Sequence, residues 1–165
     1  MRKVSLFIAS SLDGFIAREN GGIDWLFHGN YGYKKFYSSI DTVVMGRKTY
    51  DLAKRLEKRP FKSKRIIVFT RRVVKGVEFS RNPVTTMKSL VKEQGKTIWL
   101  IGGGEISKTL VNAGIVDEVI LSIHPRILGA GIPLFEGMRE TGLKHVKTKS
   151  FKSGLVQITY SVKKG

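Results

Sequence analysis

Five short apolar runs set the terms for any fold this chain can adopt. Residues 4–9, 42–45, 65–70, 97–101 and 119–124 are rich in β-branched side chains and show no polar alternation. Continuous apolar runs of this length read as strands covered on both faces. Between them lie stretches with helical spacing: residues 31–39, 47–56, a short third one that includes 89–93, and 105–112. In the last of these, Ile106, Leu110 and Ala113 share one face and Gly114 stops the helix. Near the C-terminus Val156, Ile158, Tyr160 and Val162 alternate with Gln157, Thr159 and Ser161. That is the period-two pattern of a half-exposed antiparallel strand, whose apolar side needs a partner surface. Strands and helices alternating, then strands alone, predict a three-layer α/β/α fold with a mainly parallel central sheet and antiparallel C-terminal strands. The 165 residues suffice for one domain with a real core, spanning 1–165.

Three strand ends carry the chemistry. The run 42–45 passes into Gly46-Arg47-Lys48-Thr49, where a helix starts. Glycine lets an anion approach the backbone, the helix start offers unpaired N–H groups, and the basic pair adds charge. A plain strand-to-helix turn also satisfies these four residues. The run ending at Ile101 passes into Gly102-Gly103-Gly104-Glu105, and a second helix starts. Three glycines forgo packing and cost conformational entropy, which makes sense if a ligand lies against the backbone. The spacing is Gly-x-Gly-x-x-Ser, without an acid about 20 residues further on, so it is not the Rossmann fingerprint. No Gly-Lys-Ser/Thr closes it, so it is not a P-loop. The third end is Thr70-Arg71-Arg72. A pyrophosphate between two helix starts, with an extra phosphate on arginines, matches NADPH better than NADH.

Composition narrows the classes. There is no cysteine, which excludes disulfides, thiolate metal sites and cysteine nucleophiles. His28, His124 and His145 are far apart and lack metal-ligand spacing. His124, before Pro125, reads as a structural strand-end residue. The start of the chain has the look of a leader, but its apolar run is short and no small-residue cleavage site follows before Asp13. No stretch is long and apolar enough for a membrane span, so a cytoplasmic protein without membrane association is expected. Thirty Lys and Arg against 13 Asp and Glu give a net charge of +17, which favours anionic ligands. A nucleic-acid-binding protein is the rival from another class, but the basic residues are spread along the chain and form no binding motif.

Taken in order, residues 9–17 (Ala-Ser-Ser-Leu-Asp-Gly-Phe-Ile-Ala), Asp24-Trp25, residues 44–50 and residues 101–105 resemble the dihydrofolate reductase superfamily. Residues 113–119 and 124–135 are more specific. They resemble the branch containing the reductase domain of riboflavin biosynthesis, the RibD C-terminal type. The resemblance covers nearly the whole chain. It implies a dihydrofolate reductase-like fold, a homodimer, and NADPH-dependent reduction of a pyrimidine- or pterin-like small molecule. By position, Ala9 and Ile16 would meet the nicotinamide end, and Gly46, Arg47, Lys48 and Thr49 the phosphates. Thr70, Arg71 and Arg72 would sit by the adenosine and its 2′-phosphate. Ile101, Gly102, Gly103, Gly104, Glu105 and Ile106 would cover the pyrophosphate and nicotinamide side. Asp13 and Trp25 would approach the substrate, with Ser122 on the pocket floor.

One departure shifts the expected substrate. Dihydrofolate reductases place a carboxylate on the first helix to bind the pterin, whereas residues 26–40 here contain no Asp or Glu, and Asn30 or Gly32 takes the approximate position. That moves the reading from folate towards 5-amino-6-(5-phosphoribosylamino)uracil or its diaminopyrimidinone analogue. Lys34-Lys35 or Arg126 could hold the phosphate of such a substrate. For the proton that follows the hydride, Asp13 and Glu105 are the candidate catalytic acids, with Asp24 a third and solvent the alternative. Asp13 also reads as a turn residue before Gly14, and Trp25 as core. Tyr31, Tyr33, Phe36 and Tyr37 could line a pocket or simply pack their helix.

Overall fold

The computed structural model describes residues 1–164. The chain opens with β1 (Val4–Ser11) and the short β2 (Phe15–Ala17), followed by α1 (Tyr33–Ser39), β3 (Ile40–Gly46), α2 (Arg47–Leu56), β4 (Arg65–Phe69) and β5 (Glu78–Ser80). Next come α3 (Pro83–Leu90), β6 (Thr97–Gly102), α4 (Gly104–Asn112) and β7 (Glu118–His124), and then β8 (Ile132–Pro133), β9 (Leu143–Ser150) and β10 (Val156–Val162). Eight strands form one sheet in the order β5-β4-β3-β6-β1-β7-β10-β9, while β2 and β8 pair in a separate ribbon. Pairing is parallel from β5 across to β7, and β10 is antiparallel to both of its neighbours. The expected three-layer architecture is present, and all five apolar runs are strands of the large sheet.

The path of the chain decides which face each helix covers. From β1 it steps towards β5, through α1 to β3 and through α2 to β4. From β5 it steps back, through α3 to β6 and through α4 to β7. Parallel crossovers are right-handed, so a reversal of direction moves the helices to the other face. The packing agrees. Phe36 and Tyr37 of α1 and Tyr50 of α2 share a core with Val43, Met45, Val68 and Trp99. Met87 and Leu90 of α3 and Ile106 and Leu110 of α4 share the other core with Leu6, Val44 and Leu100.

Two helix boundaries differ from expectation and the edge strand is new, each for a local reason. The third helix is 83–90, not centred on 89–93. Pro83 stands in its first turn, a start signal, and residues 91–93 are its closing turns, with the Val91 N–H donating to Met87 O at 3.0 Å. The first helix begins at Tyr33, because Tyr31 (φ +34°) and Gly32 (φ +80°) are left-handed. The strand β9 was not foreseen: all eight of its residues are exposed, so it has no apolar face to read. It makes the sheet edge, with β10 lying between it and β7. Lys144, Lys147 and Lys149 discourage strand addition there.

Candidate active site

The chain reverses direction between β3 and β6, which are hydrogen-bonded neighbours with Met45 opposite Gly102. Their helices leave onto opposite faces, which opens a crevice beyond the strand ends, the usual ligand position in an open α/β sheet. Both helices start from glycine, α2 after Gly46 and α4 after Gly103, and neither has a side-chain cap. Their first-turn N–H groups therefore lack side-chain partners and sit at the positive ends of the helix dipoles. The two starts touch: the Gly103 N–H donates to Thr49 Oγ1 at 3.2 Å. A Cβ on Gly46 would lie 3.9 Å from Ile106 Cγ2.

Glycine is required at 102. Its φ of +109° suits no other residue, and a Cβ there would lie 2.9 Å from Ile8 Cδ1. It would also lie 3.5 Å from the hydroxyl of Ser107, which is fully buried and has no partner among the described residues. At Gly104 a Cβ would come within 3.0 Å of Pro133 O. Gly46, Arg47, Lys48 and Thr49 thus meet Gly102, Gly103, Gly104, Glu105 and Ile106 in one place, with Ile101 leading in. Ile106 is a buried core residue, so its role includes packing. Arg47 is held at 2.9 Å by Asp51 one turn on. Thr70, Arg71 and Arg72 follow β4, whose Phe69 is opposite Gly46, and both arginines are exposed. Arg81 joins them unforeseen, one residue past Ser80, which pairs with Phe69. The strand Glu78–Ser80 has no apolar pattern that could have revealed it. Open N–H groups, a glycine cradle and clustered cations can hold several phosphates.

Further along the same strand ends, Ala9 of β1 is opposite Ser122 of β7, and Ser122 is opposite Gln157 of β10. Cross-strand neighbours project on one face, so the three make a continuous floor. Ile16, on β2, belongs to the ribbon whose strand β8 carries Pro133. The segment before α1 lies over the floor: Gln157 Nε2 donates to Ser122 Oγ at 3.0 Å and to Tyr31 O at 3.1 Å. Tyr31 stacks edge-on to Phe151, with ring centroids 4.9 Å apart. Trp25 is buried edge-on to His124 at 5.3 Å, and its Nε1 has no partner among the described residues. At Gln157 the polar side of β10 is therefore covered by the segment before α1. Thr159 is only 2% exposed, whereas the other six residues of this strand are half-buried. Alternation shows that two faces differ, but not what covers the polar one.

The expected acids fare differently. Asp13 Oδ1 accepts from the Ser11 hydroxyl at 2.6 Å and from Leu128 N–H at 3.1 Å, and Oδ2 accepts from Gly129 N–H at 2.8 Å. The Ser11 bond first, and then the two backbone bonds, hold the carboxyl at a pKa of about 2. Asp13 is thus an ionised clip between the turn 11–15 and the loop 126–129, not a proton donor at neutral pH. A lowered carboxylate pKa contributes stability that is complete above the unfolded value and disappears as pH falls through the folded one. The melting-temperature gap between wild type and Asp13→Asn should therefore be constant above about pH 4 and close towards about pH 2 in an acid titration. The Glu105 side chain stands 89% exposed and bonds Lys108 on its own helix, so nothing connects it to the floor at Ala9 and Ser122. Asp24 is held below the usual carboxylate range by Arg18, which it pairs at 2.7 Å. His124 is buried, with Nδ1 3.3 Å from Ser122 O, and burial lowers its pKa. It serves as a neutral structural group.

Of the aromatic residues before β3, Tyr33 and Tyr37 line a hollow of about 540 Å³ with Leu56 and Phe61. Phe36 packs inward against Phe7 and Trp99. Lys34, Lys35 and Arg126 are exposed. Among the described residues no group of carboxylates and histidines could hold a metal ion. None of the described helices is long and apolar enough to cross a membrane.

Comparison with known proteins bears on this geometry. The Bacillus subtilis (strain 168) uncharacterised protein YyaP is 38% identical over 177 residues, covering 96% of this chain and 94% of YyaP. The solved diaminohydroxyphosphoribosylaminopyrimidine deaminase/5-amino-6-(5-phosphoribosylamino)uracil reductase of Thermotoga maritima superposes with a TM-score of 0.76 at 20% identity, over 98% of this chain and 56% of that one. Dihydrofolate reductase from Enterococcus faecalis, solved with NADP(H), gives a TM-score of 0.75 at 18% identity, over 98% of this chain and 97% of that one. The last two likenesses establish the dihydrofolate reductase-like fold. The model of the RibD C-terminal domain matches residues 2–157. A match across almost all of the sheet and both helix starts places this chain in the RibD C-terminal domain family, whose reductase-type fold it has.

Proposed function

We propose that this chain is an NADPH-dependent reductase of a pyrimidine- or pterin-like ring, most specifically of 5-amino-6-(5-phosphoribosylamino)uracil or its diaminopyrimidinone analogue. The observation that carries this reading is the meeting of two uncapped helix starts at Gly46 and Gly103, flanked by Arg71 and Arg72. The glycine cradle, the unpartnered Ser107 hydroxyl beside it and the cationic loops suit a dinucleotide with an additional phosphate.

When bound, the reduced nicotinamide supplies a hydride. The chain's residues position the partners and exclude water. Arg47, Lys48 and Thr49 grip phosphate at α2, and Gly102 to Gly104 let it lie against the start of α4. Ala9, Ile16 and Ile101 flank the nicotinamide end, and Ser122 and Trp25 bound the ring to be reduced. Asp13 fixes the turn that carries Gly14 against the 126–129 loop. With Asp13 and Asp24 ionised and Glu105 turned outward, water is the proton source.

Replacing both Arg71 and Arg72 with Ala should weaken NADPH binding by about tenfold or more and leave NADH binding unchanged, as read by nucleotide fluorescence. An equal loss for both nucleotides would mean that the arginines do not read the 2′-phosphate. No saturable NADPH binding by the wild type would overturn the whole reading. Because residues 26–40 lack a carboxylate, turnover of the uracil substrate and none of dihydrofolate is expected.

We assign the active form to a homodimer in the cytoplasm. Leu143 and Val146, 41% and 55% exposed beside the lysines of β9, are the apolar positions a second copy would cover. Val146→Glu should shift the mass measured by light scattering to that of the monomer. Wild type already monomeric at micromolar concentration would refute the assignment.

A further inference from the structure

The hydrogen bonds of Gln157 fix which way its amide faces. Tyr31 O can only accept, so the Gln157 atom 3.1 Å from it is the NH₂ group. One amide hydrogen goes to Tyr31 O and the other to Ser122 Oγ. Oε1 points away from both and accepts no hydrogen bond from the described residues. At Gly32 a Cβ would stand 3.7 Å from Oε1, and none exists. Ser122 Oγ spends a lone pair on the Gln157 amide, so its own hydrogen is directed elsewhere, and no acceptor among the described residues takes it. Ser122 lies beside Ala9 on the floor. The floor therefore presents an O–H donor and a C=O acceptor side by side, both oriented by the protein and both unspent. No carboxylate occurs in residues 26–40, which supply the covering segment.

We infer that Ser122 and Gln157 together read a lactam edge of the substrate, Ser122 O–H donating to a ring carbonyl and Gln157 Oε1 accepting from the adjacent ring N–H. The inference rests on the proposed reductase reading and makes Gln157 a specificity-determining residue of that site. Its ligand class is a neutral ring lactam or imide. A protonated amidine presents donors only, which suit Gln157 Oε1 and clash with Ser122 O–H. A site built from unpaired polar groups rejects a ligand that cannot satisfy them.

Pteridine-2,4-dione and 2,4-diaminopteridine share one bicycle and present opposite edges, so they test the pair by fluorescence titration. Wild type should bind the dione about tenfold or more tightly than the diamine. Gln157→Leu should lose about tenfold for the dione and leave the NADPH dissociation constant unchanged. Gln157→Glu, nearly isosteric, gives up the donation to Tyr31 O and puts a carboxylate beside the ring, and should reverse the preference towards the protonated diamine while that carboxylate is ionised. Should Gln157→Leu fail to fold, Gln157→Glu decides alone. An unchanged ring preference in folded variants, or no preference in wild type, overturns the inference. The NADPH titration is separate: loss of cofactor binding in wild type sinks the reductase reading, whereas intact cofactor binding with no ring preference sinks this inference alone.

Discussion

Gly46→Asp should melt at or slightly above the wild-type temperature and bind NADPH at least about a hundredfold more weakly. Gly46 has φ −75° and ψ 164°, the extended geometry of a helix N-cap, and a Cβ there meets nothing nearer than Ile106 Cγ2 at 3.9 Å. Asp is a preferred N-cap and improves on Gly by a few tenths of a kcal/mol. Its carboxylate would take the first-turn N–H groups of α2 that now lack a side-chain partner, and would place negative charge where phosphate is expected. Gly46→Asn caps without the charge and should lose only about tenfold. Thermal melts and nucleotide titrations on the two variants separate folding from binding. Unaltered NADPH affinity in Gly46→Asp would place the phosphates away from α2.

Gly131→Ala should cost about 2–3 kcal/mol of stability, the largest effect expected from a single methyl group. A Cβ on Gly131 would fall 2.3 Å from Ala17 O and 3.3 Å from Phe15 Cβ. The obstacle is backbone, and Ala17 is paired with Ile132 in the β2–β8 ribbon, so it has little freedom to retreat. The same ribbon is tied to the Asp13 turn through the Leu134 N–H donating to Gly14 O at 2.9 Å. Urea denaturation is the measurement. A change within about 0.5 kcal/mol would show that the segment relaxes around the methyl.

The central sheet was legible because strands buried on both faces carry no polar interruption: Thr42–Met45 and Ile98–Ile101 could be read directly. The helix α4 was legible through its apolar spacing and the stop at Gly114. The strand β9 was illegible because no position in Leu143–Ser150 is buried, and patterning records only differences in burial. The meeting of Gly46 with Gly103 followed from the order of the motifs, and the reversal of chain direction explains it physically. Roles that depend on distant partners could not be read. Nothing near Asp13 in sequence announces Leu128 and Gly129, and nothing at Glu105 says that its helix turns it towards solvent. Gln157 is not legible because alternation does not say what covers the polar side of a strand, here the Tyr31 segment.

The division of the apolar interior into two halves has a consequence for how the molecule responds to its ligand. The helix α2 is seated on one half and α4 on the other, and the halves communicate through the sheet between them. A dinucleotide held by both helix starts would act as a staple across that sheet. Amide hydrogen exchange should then slow in α2 and α4 together when NADPH is added, through helix starts that meet at Thr49 and Gly103.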